Sequence, residues 1–290
     1  MLKKRIIGCI VIKNGIVVQS IGFKKYLPIG KPAIAVEYLN RWGIDEIVLI
    51  DISATKNKQQ PDYKMYKDLS EKCHVPLAIG GGITHIDQVI ELMHCGADKF
   101  IINKIALETP EFISQTAHMF GNQCVIVSID VFRDDNGKVE VYDYTRQKTI
   151  GLNPVEWSKK AEDLGAGEIF LTSVNKDGSY TGYDIELIDK VAQAVKIPVI
   201  ASGGAKNADD MQKALTETEV MAASAANFFH FTEHSVIITK SVLINKGVKV
   251  RLETYAEYTD SPINSECRLN KKDDRLLENL LYIKIDKEVI

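Results

Sequence analysis

Two aspartates stand where a carboxylate can take part in acid–base chemistry. Asp130 follows the apolar run 125–129, and Asp51 lies at the end of the run that begins at Ile47. In a parallel barrel, a carboxylate at the C-terminal end of a strand is more often functional than structural. We therefore expect Asp130 to act in catalysis or ligand positioning, and Asp51 to contribute to a ligand site at the same mouth.

Glycine turns at 80–82 and 203–204 follow two other apolar runs and favour anion binding. Glycine lets backbone N–H groups approach a phosphate closely, and the N-terminus of a following helix adds a favourable dipole. Two such sites would suit a ligand with a phosphate at each end, whereas glycines that only permit tight turns would bind nothing. The candidate ligand residues in these turns and the neighbouring loops are Asp51, Gly82, Asn103, Lys104, Asp177, Gly178, Ser202, Gly203, Gly204, Ala226 and Asn227.

A second set of charged residues precedes the apolar runs instead of following them. Its members are Arg5, Glu46, Lys99 and Glu168. At the opposite mouth of a barrel, two cations and two anions would meet, and buried charges must pair because their desolvation costs roughly several kcal/mol each. The set is either a salt-bridge plug that closes the floor or a gate for a small neutral molecule.

The elements that must position these side chains form a (β/α)8 barrel. Eight continuous apolar runs alternate with segments of helical period, as expected for parallel strands buried on both faces. The halves repeat without a gap at an offset of 122, since 46–52 matches 168–174 and 76–82 matches 198–204. This TIM barrel with a half-barrel internal repeat has predicted strands at 6–12, 47–52, 76–79, 100–102, 125–129, 169–171, 198–201 and 220–223.

The barrel pattern covers residues 1–252 and leaves a more polar C-terminal extension at 253–290. Within the extension, 273–281 has the period of a short amphipathic helix and 282–286 alternates like a strand. The extension is either a tail packed on the barrel wall or an added docking surface.

Composition excludes several classes of function. A net charge of −3 argues against a general nucleic-acid binder. No apolar run is long enough to cross a membrane, and the N-terminus lacks the apolar segment of a signal peptide, so we expect a cytoplasmic protein. Five cysteines without zinc-site spacing predict reduced thiols and no metal.

Taken together, these residues resemble the HisF family, the cyclase subunits of imidazole glycerol phosphate synthase. The likeness covers residues 1–252. It is carried by Lys4-Arg5-Ile6-Ile7, Cys9, Asp51-Ile52, Gly80-Gly81-Gly82-Ile83, Gly96-Ala97-Asp98-Lys99, Asn103, Asp130, Asp177-Gly178, Gly182-Tyr183-Asp184, Ala201-Ser202-Gly203-Gly204, Phe229-His230-Phe231 and Val250-Arg251-Leu252.

The resemblance implies a partner and a route for nitrogen, and no cofactor. Proteins of this family pair with a HisH-like glutaminase, whose ammonia enters at the barrel floor and travels through the core. The set of four charged residues then corresponds to the gate, and Asp98 to the residue that docks the glutaminase.

Three departures from the family pattern bear on catalysis. The acid on the first strand falls at Val11, a lysine of the following loop falls at Gln19, and a threonine falls at Lys104. Valine cannot transfer a proton, and loss of one acid–base group typically costs about 10²–10⁴-fold in rate. Asp130 therefore lacks its partner acid.

A divergent HisF-like branch found with surface-polysaccharide genes is similar in segments 25–36 and 51–55. It implies that ammonia is supplied to an ATP-dependent amidotransferase, which converts an acetamido sugar to an acetamidino sugar. The alternatives are an active cyclase of histidine biosynthesis, with Asp51 or another group in place of the missing acid, and a non-catalytic scaffold with a solid core.

Overall fold

The computed structural model describes residues 3–254, 256, 258, 262–270, 273 and 275. Its strands are β1 (Arg5–Lys13), β2 (Ile16–Ile21), β3 (Lys25–Gly30), β4 (Glu46–Asp51), β5 (Leu77–Gly80), β6 (Lys99–Ile102), β7 (Val125–Arg133), β8 (Val139–Asp143), β9 (Lys148–Thr149), β10 (Glu168–Ser173), β11 (Val199–Ser202) and β12 (Ala222–Ala225). Its α-helices are α1 (Pro32–Arg41), α2 (Ile52–Lys56), α3 (Tyr63–Ser70), α4 (Ile86–His94), α5 (Lys104–Glu108), α6 (Glu111–Phe120), α7 (Pro154–Asp163), α8 (Ile185–Ala194), α9 (Ala208–Glu217) and α10 (Ser235–Asn245).

Eight of these strands close into a parallel barrel in the order β1–β4–β5–β6–β7–β10–β11–β12, and β12 pairs with β1. Each of the eight predicted strands overlaps one of them, so the predicted (β/α)8 fold is confirmed. The strands alternate with helices that cover the outer face of the barrel, as the continuous apolar runs required.

Two antiparallel hairpins at the C-terminal mouth were not predicted. The hairpin of β2 and β3 follows β1 through the two-residue turn Asn14-Gly15, in which both residues have positive φ. Asn-Gly is a strong hairpin signal because both of its residues tolerate positive φ, so the sequence contained the signal. The second hairpin extends β7 into β8, and β8 continues through a turn into β9, with which it also pairs antiparallel.

The barrel has an outer and an inner core. The outer core packs the strands against the helices, while the inner core fills the barrel itself. Its buried side chains are Ile7, Cys9, Val48, Ala78, Ile101, Ile126, Phe170, Ile200 and Ala222. Because side chains alternate across each strand, these residues share one face of the wall with the charged set below them and with Asp130 above them.

Two compact units divide the chain, at residues 1–256 and 257–290. In the second unit, Ile263 and Leu269 form an antiparallel bridge around a turn in which Asn264 accepts hydrogen bonds from backbone N–H groups. The predicted helix at 273–281, apart from residues 273 and 275, and the predicted strand at 282–286 lie outside the described residues. Among the helices that are described, none is long and apolar enough to cross a membrane.

Candidate functional site

A cavity of about 390 Å³ opens at the C-terminal mouth of the barrel. We call it the mouth cavity. Loops that follow the strands and the two hairpins enclose it. It is lined by Asp130, by Val11 at the position of the missing acid, and by seven of the predicted ligand residues, which are Asp51, Gly82, Asn103, Lys104, Asp177, Ser202 and Ala226.

Asp130 lines this cavity from β7. It is 6% exposed, and its Oδ2 accepts a hydrogen bond from Nδ2 of Asn103 at 2.8 Å. Burial raises the pKa of the carboxyl group to about 7; the Asn103 hydrogen bond partly opposes this rise, and the nearby charges of Asp177 and Asp143 add to it. Near neutral pH this group can therefore either accept or donate a proton.

Val11 lies on the cavity wall contributed by β1 and is only half-buried. Its aliphatic side chain presents no atom that can exchange a proton. Gln19 does not line the cavity; its Nε2 donates to the hydroxyl of Tyr180 at 2.9 Å. Lys104 does line it, with its Nζ 3.7 Å from Glu108 Oε1 in an exposed pair.

The carboxylate of Asp51 caps the short helix α2, and its backbone lies against the first glycine turn. Its Oδ1 accepts hydrogen bonds from the backbone N–H of Ser53 at 2.8 Å and of Ala54 at 3.3 Å, which caps α2. The hydroxyl of Ser53 donates to the same oxygen at 2.5 Å. A Cβ at Gly81 would lie 2.3 Å from the backbone oxygen of Asp51, so this close approach requires glycine. Asp51 is thus occupied with local structure, which argues against its replacing the acid missing at Val11.

The loops of the second half of the barrel lie beneath the β2–β3 hairpin. Asp177 Oδ2 accepts a hydrogen bond from the hydroxyl of Ser20 at 2.6 Å. Asn227 Nδ2 donates to the backbone oxygen of Ser20 at 2.8 Å, and a Cβ at Gly178 would lie 2.4 Å from that oxygen. Burial raises the pKa of Asp177, although the Ser20 hydroxyl partly opposes the rise. The hairpin, which sequence reasoning missed, is therefore part of the site.

Four predicted ligand residues lie outside the cavity lining: Gly178, Gly203, Gly204 and Asn227. A Cβ at Gly204 would lie 2.1 Å from the backbone oxygen of Gly182, and one at Gly203 would lie 2.7 Å from that of Ser173. Close backbone packing alone accounts for these two glycines. The first-half turn behaves differently, because Gly82 lines the cavity.

The opposite mouth is closed by four charged side chains, which we call the floor ring. Arg5 contacts Glu46 at 2.5 Å and Glu168 at 2.8 Å, and Lys99 contacts the same two carboxylates at 3.0 and 2.8 Å. Cations and anions therefore alternate. Burial acts to raise the pKa of Glu168, but the charges of Arg5 and Lys99 hold it below its ordinary value.

Asp98 lies next to the ring, one residue before β6, and is exposed. Its Oδ2 accepts a hydrogen bond from the backbone N–H of Leu77 at 2.8 Å, which fixes the carboxylate at the floor. Within the described part of the chain, no group of acidic, histidine or cysteine side chains is arranged to hold a metal ion.

The sequence model of the histidine biosynthesis protein family matches residues 5–235. The chain belongs to this family. It is 42% identical over 258 residues to a putative imidazole glycerol phosphate synthase subunit hisF2 of Vibrio vulnificus, covering 89% of this chain and 94% of that protein. It is also 42% identical over 253 residues to the HisF subunit of Dehalococcoides mccartyi strain BAV1, and 38% identical over 251 residues to that of Streptococcus mutans; each match covers 87% of this chain and 100% of the relative.

This HisF-family barrel therefore combines three features. A neutral ring of charges closes its floor, an apolar interior follows, and a cavity at the far mouth contains a carboxyl group that titrates near neutral pH. The floor therefore carries no net charge within its ring, and the mouth presents a group that can exchange a proton with a bound ligand.

Proposed function

We propose that this HisF-family chain works with a HisH-like glutaminase and carries ammonia from the floor ring to the mouth cavity. The observation that carries the proposal is the arrangement of the floor ring. All of its charges are satisfied within the ring, so it forms a closed but electrically neutral entrance. The exposed carboxylate of Asp98 beside it supplies a docking point for the glutaminase.

The interior supports this route physically. In water at neutral pH ammonia is mostly ammonium, which is not a nucleophile. Ile7, Ala78, Ile126 and Ile200 form an apolar layer directly above the ring, and burying an unpaired ion among such side chains is costly. The interior therefore favours the neutral, reactive form.

The acid–base groups of the mouth cavity determine which reaction the delivered ammonia can enter. Ring closure of the cyclase type needs proton transfer on both sides of the ligand, and the acid that the family pattern places opposite Asp130 is replaced here by Val11, which cannot transfer a proton. We infer that cyclisation is lost and that the ammonia passes to an ATP-dependent amidotransferase acting on an acetamido sugar of a surface polysaccharide. The similarity of segments 25–36 and 51–55 to that branch supports this acceptor. We expect the complex to work in the cytoplasm.

A second candidate is the cyclase of histidine biosynthesis. The names of the relatives support it, and so does Asp177, a second buried carboxyl group with a raised pKa in the same cavity. For this candidate, Asp177 would have to leave Ser20 and replace the missing acid. A phosphate-bearing ligand would then occupy the mouth cavity beside Gly82 and Lys104.

The deciding experiment supplies the purified chain with the ribulosyl formimino carboxamide nucleotide and an ammonium salt. We expect imidazole glycerol phosphate to form about 10²–10⁴-fold more slowly than with an ordinary HisF subunit assayed in parallel. Turnover at the ordinary rate would establish the cyclase and reject our acceptor. The same chain, combined with glutaminase, amidotransferase, ATP and acetamido sugar, is expected to form the amidine.

Substitutions in the floor ring distinguish an ammonia conduit from a scaffold that only holds its partners together. If the barrel only holds partners together, Arg5→Ala or Lys99→Ala leaves glutamine hydrolysis coupled to product formation. We expect these variants to keep the complex assembled on size exclusion while the nitrogen of glutamine escapes to solvent. Unchanged coupling in both would favour the scaffold.

A further inference from the structure

Ser224 carries a buried hydroxyl group that the fold does not satisfy. The residue is 0% exposed, and its Oγ has no hydrogen-bond partner among the residues that the structure describes. Ser224 lies in β12 between Ala222 and Ala226, which both belong to the inner face of the barrel. By the alternation of side chains in a strand, its hydroxyl also faces the interior. An unpaired buried hydroxyl costs free energy, so its presence there needs a reason.

The register of the sheet places Ser224 in a row of polar side chains. Asp130 pairs with Thr172, and Thr172 pairs with Ser202. The pair Ala201–Ala223 brings Ser202 beside Ser224 one residue further along. Neighbouring strands lie about 4.8 Å apart, so consecutive members of this row are close neighbours on the wall.

The row continues from Ser224 to the floor ring. Ser224 pairs with Ile7, and Ile7 pairs with Glu46. Because strands in a closed barrel are tilted and staggered, a row that follows the register descends along the barrel. Three hydroxyl-bearing residues and one isoleucine therefore connect the carboxylate of the mouth with a carboxylate of the ring.

The neighbouring row of side chains toward the floor is apolar beside these three hydroxyl groups. Phe170 pairs with Ile200, and Ile200 pairs with Ala222, two residues closer to the floor on each strand. All three side chains are apolar and buried. Ser224 is thus the hydroxyl nearest the floor in its row, and the positions next to Thr172, Ser202 and Ser224 on the floor side offer no hydrogen bond. The adjacent row carries a hydroxyl only where it begins on β7, at Ser128, which pairs with Phe170 and lines the mouth cavity.

We propose that Ser224, Ser202 and Thr172 form a hydrogen-bonding track for ammonia on one wall of the barrel, and that Ser224 is its first station above the floor ring. The proposal rests on the proposed function as an ammonia conduit. A hydroxyl group can donate to the lone pair of ammonia and accept from its N–H groups. It carries no charge, so it holds the neutral molecule without attracting ammonium. Water has the same hydrogen-bonding chemistry and is the competing occupant.

The test uses the complex of the full chain with its glutaminase and the acceptor that it turns over. Glutamine labelled with nitrogen-15 in the amide competes with unlabelled ammonium salt, and mass spectrometry gives the labelled fraction of the product. Ser224→Ala is compared with Ser158→Ala, which removes a hydroxyl that is also 0% exposed but lies on α7 and donates to the backbone oxygen of Pro154 at 2.7 Å.

We expect Ser224→Ala to lower the labelled-to-unlabelled ratio about fivefold, the effect of one neutral hydrogen bond on passage. The same variant should raise the melting temperature, because it removes an unsatisfied polar group. Ser158→Ala should do the opposite, lowering the melting temperature while leaving the ratio unchanged. A purely structural role for Ser224 would move the melting temperature alone.

The outcomes separate the two proposals. If the wild-type complex shows no preference for the glutamine nitrogen, the conduit itself is rejected and the track falls with it. If the wild type prefers that nitrogen and Ser224→Ala keeps the full preference, the conduit stands and the track is rejected. Unchanged transfer with a lowered melting temperature would identify Ser224 as the anchor of a structural water.

Discussion

The two ends of the barrel contain carboxylates in opposite surroundings. At the floor, each glutamate of the ring contacts both Arg5 and Lys99. At the mouth, Asp130 is hydrogen-bonded by the neutral side chain of Asn103 instead. Burial acts to raise the pKa of both Glu168 and Asp130, but only Glu168 has cations beside it that reverse the effect. The carboxylate of Glu168 at the floor therefore stays charged, whereas the carboxyl group of Asp130 at the mouth can change its protonation state near neutral pH.

This difference follows from what each end must do. A ring that stays charged and paired stays closed until something displaces a side chain, because opening it strands a buried ion. A carboxyl group with a pKa of about 7 needs little free energy to gain or lose a proton. Removing a charge from the floor ring should therefore lower stability at neutral pH, whereas removing the carboxyl group of Asp130 should raise it.

The largest effect is expected from Lys99→Met. The change removes one of two cations and leaves Glu46 and Glu168 to share Arg5. We expect the free energy of unfolding to fall by about 3 kcal/mol, measured by urea denaturation at pH 7.5, because a buried carboxylate loses its partner. The labelled fraction of nitrogen delivered from glutamine should fall as well.

The matched control for this variant is Lys190→Met. Lys190 forms an exposed pair with Glu186 on the surface of α8. An exposed pair contributes about 0–1 kcal/mol. Equal losses in the two variants would mean that the floor ring is no more stabilising than a surface pair, and the contrast between the ends would disappear.

Asp130→Asn should raise the free energy of unfolding at neutral to basic pH, whereas Lys99→Met lowers it. The folded pKa of Asp130 is raised from 3.8 to about 7, so the folded protein binds a proton that the unfolded chain has released between these values. Wild-type stability therefore falls as the pH rises from about 4 to about 7. The variant lacks this loss, and we expect it to be more stable at pH 8 by about 1–3 kcal/mol and nearly equal at pH 4.

Asp143→Asn provides the control at the same mouth. Burial acts to raise the pKa of Asp143, but hydrogen bonds from Thr145 and the charge of Arg146 hold it below its ordinary value. Its contribution is therefore present at neutral pH and is lost on acidification. Urea titrations at pH 5 and 8 that give both variants the same sign would contradict the assignment of Asp130 as a group with a raised pKa.

The sequence predicted the features whose positions follow from where a strand begins or ends. The eight apolar runs determine the barrel, and a charged residue just before a run must lie at the floor, which is why all four ring members were found together. A residue just after a run must lie at the mouth, which is how Asp130 was found. Neither step needs information about distant contacts.

What sequence reasoning missed depends on contacts between distant segments. The β2–β3 hairpin covers Asp177 and Asn227 through Ser20, more than 150 residues away in the chain. Ser224 was not singled out, and it directly follows the predicted strand 220–223, because its unpaired hydroxyl is defined by three-dimensional packing. The Asn14-Gly15 turn did signal the hairpin, although nothing in it reveals which loops the hairpin covers.

Val11→Asp should lower the free energy of unfolding by less than Lys99→Met does. It adds a carboxyl group to a mouth cavity that already contains those of Asp51, Asp130 and Asp177, without the pairing to two cations that the glutamates of the floor ring have. We expect a loss of about 1–2 kcal/mol at pH 7.5 relative to Val11→Asn, since the charged group is partly buried. We also expect no gain of ring closure with the nucleotide and ammonium salt, because Gln19 and Lys104 remain. Measurable ring closure in this single variant would show that the missing acid alone separates the chain from its cyclase relatives.

The smallest effect is expected from removing residues 257–290, the second compact unit. The floor ring makes its contacts entirely within the first unit, so its stability should not depend on the second. A chain ending at Ala256 should keep one cooperative thermal transition and retain the loss caused by Lys99→Met. Ending the chain at Leu252 should cost more, because it also removes Thr254, which packs so close to Gly43 that a Cβ there would lie 2.8 Å from the threonine hydroxyl. If both truncations abolish the transition, the stability of the floor ring depends on the extension. The contrast between the floor and the mouth could then not be explained by contacts within the ring alone.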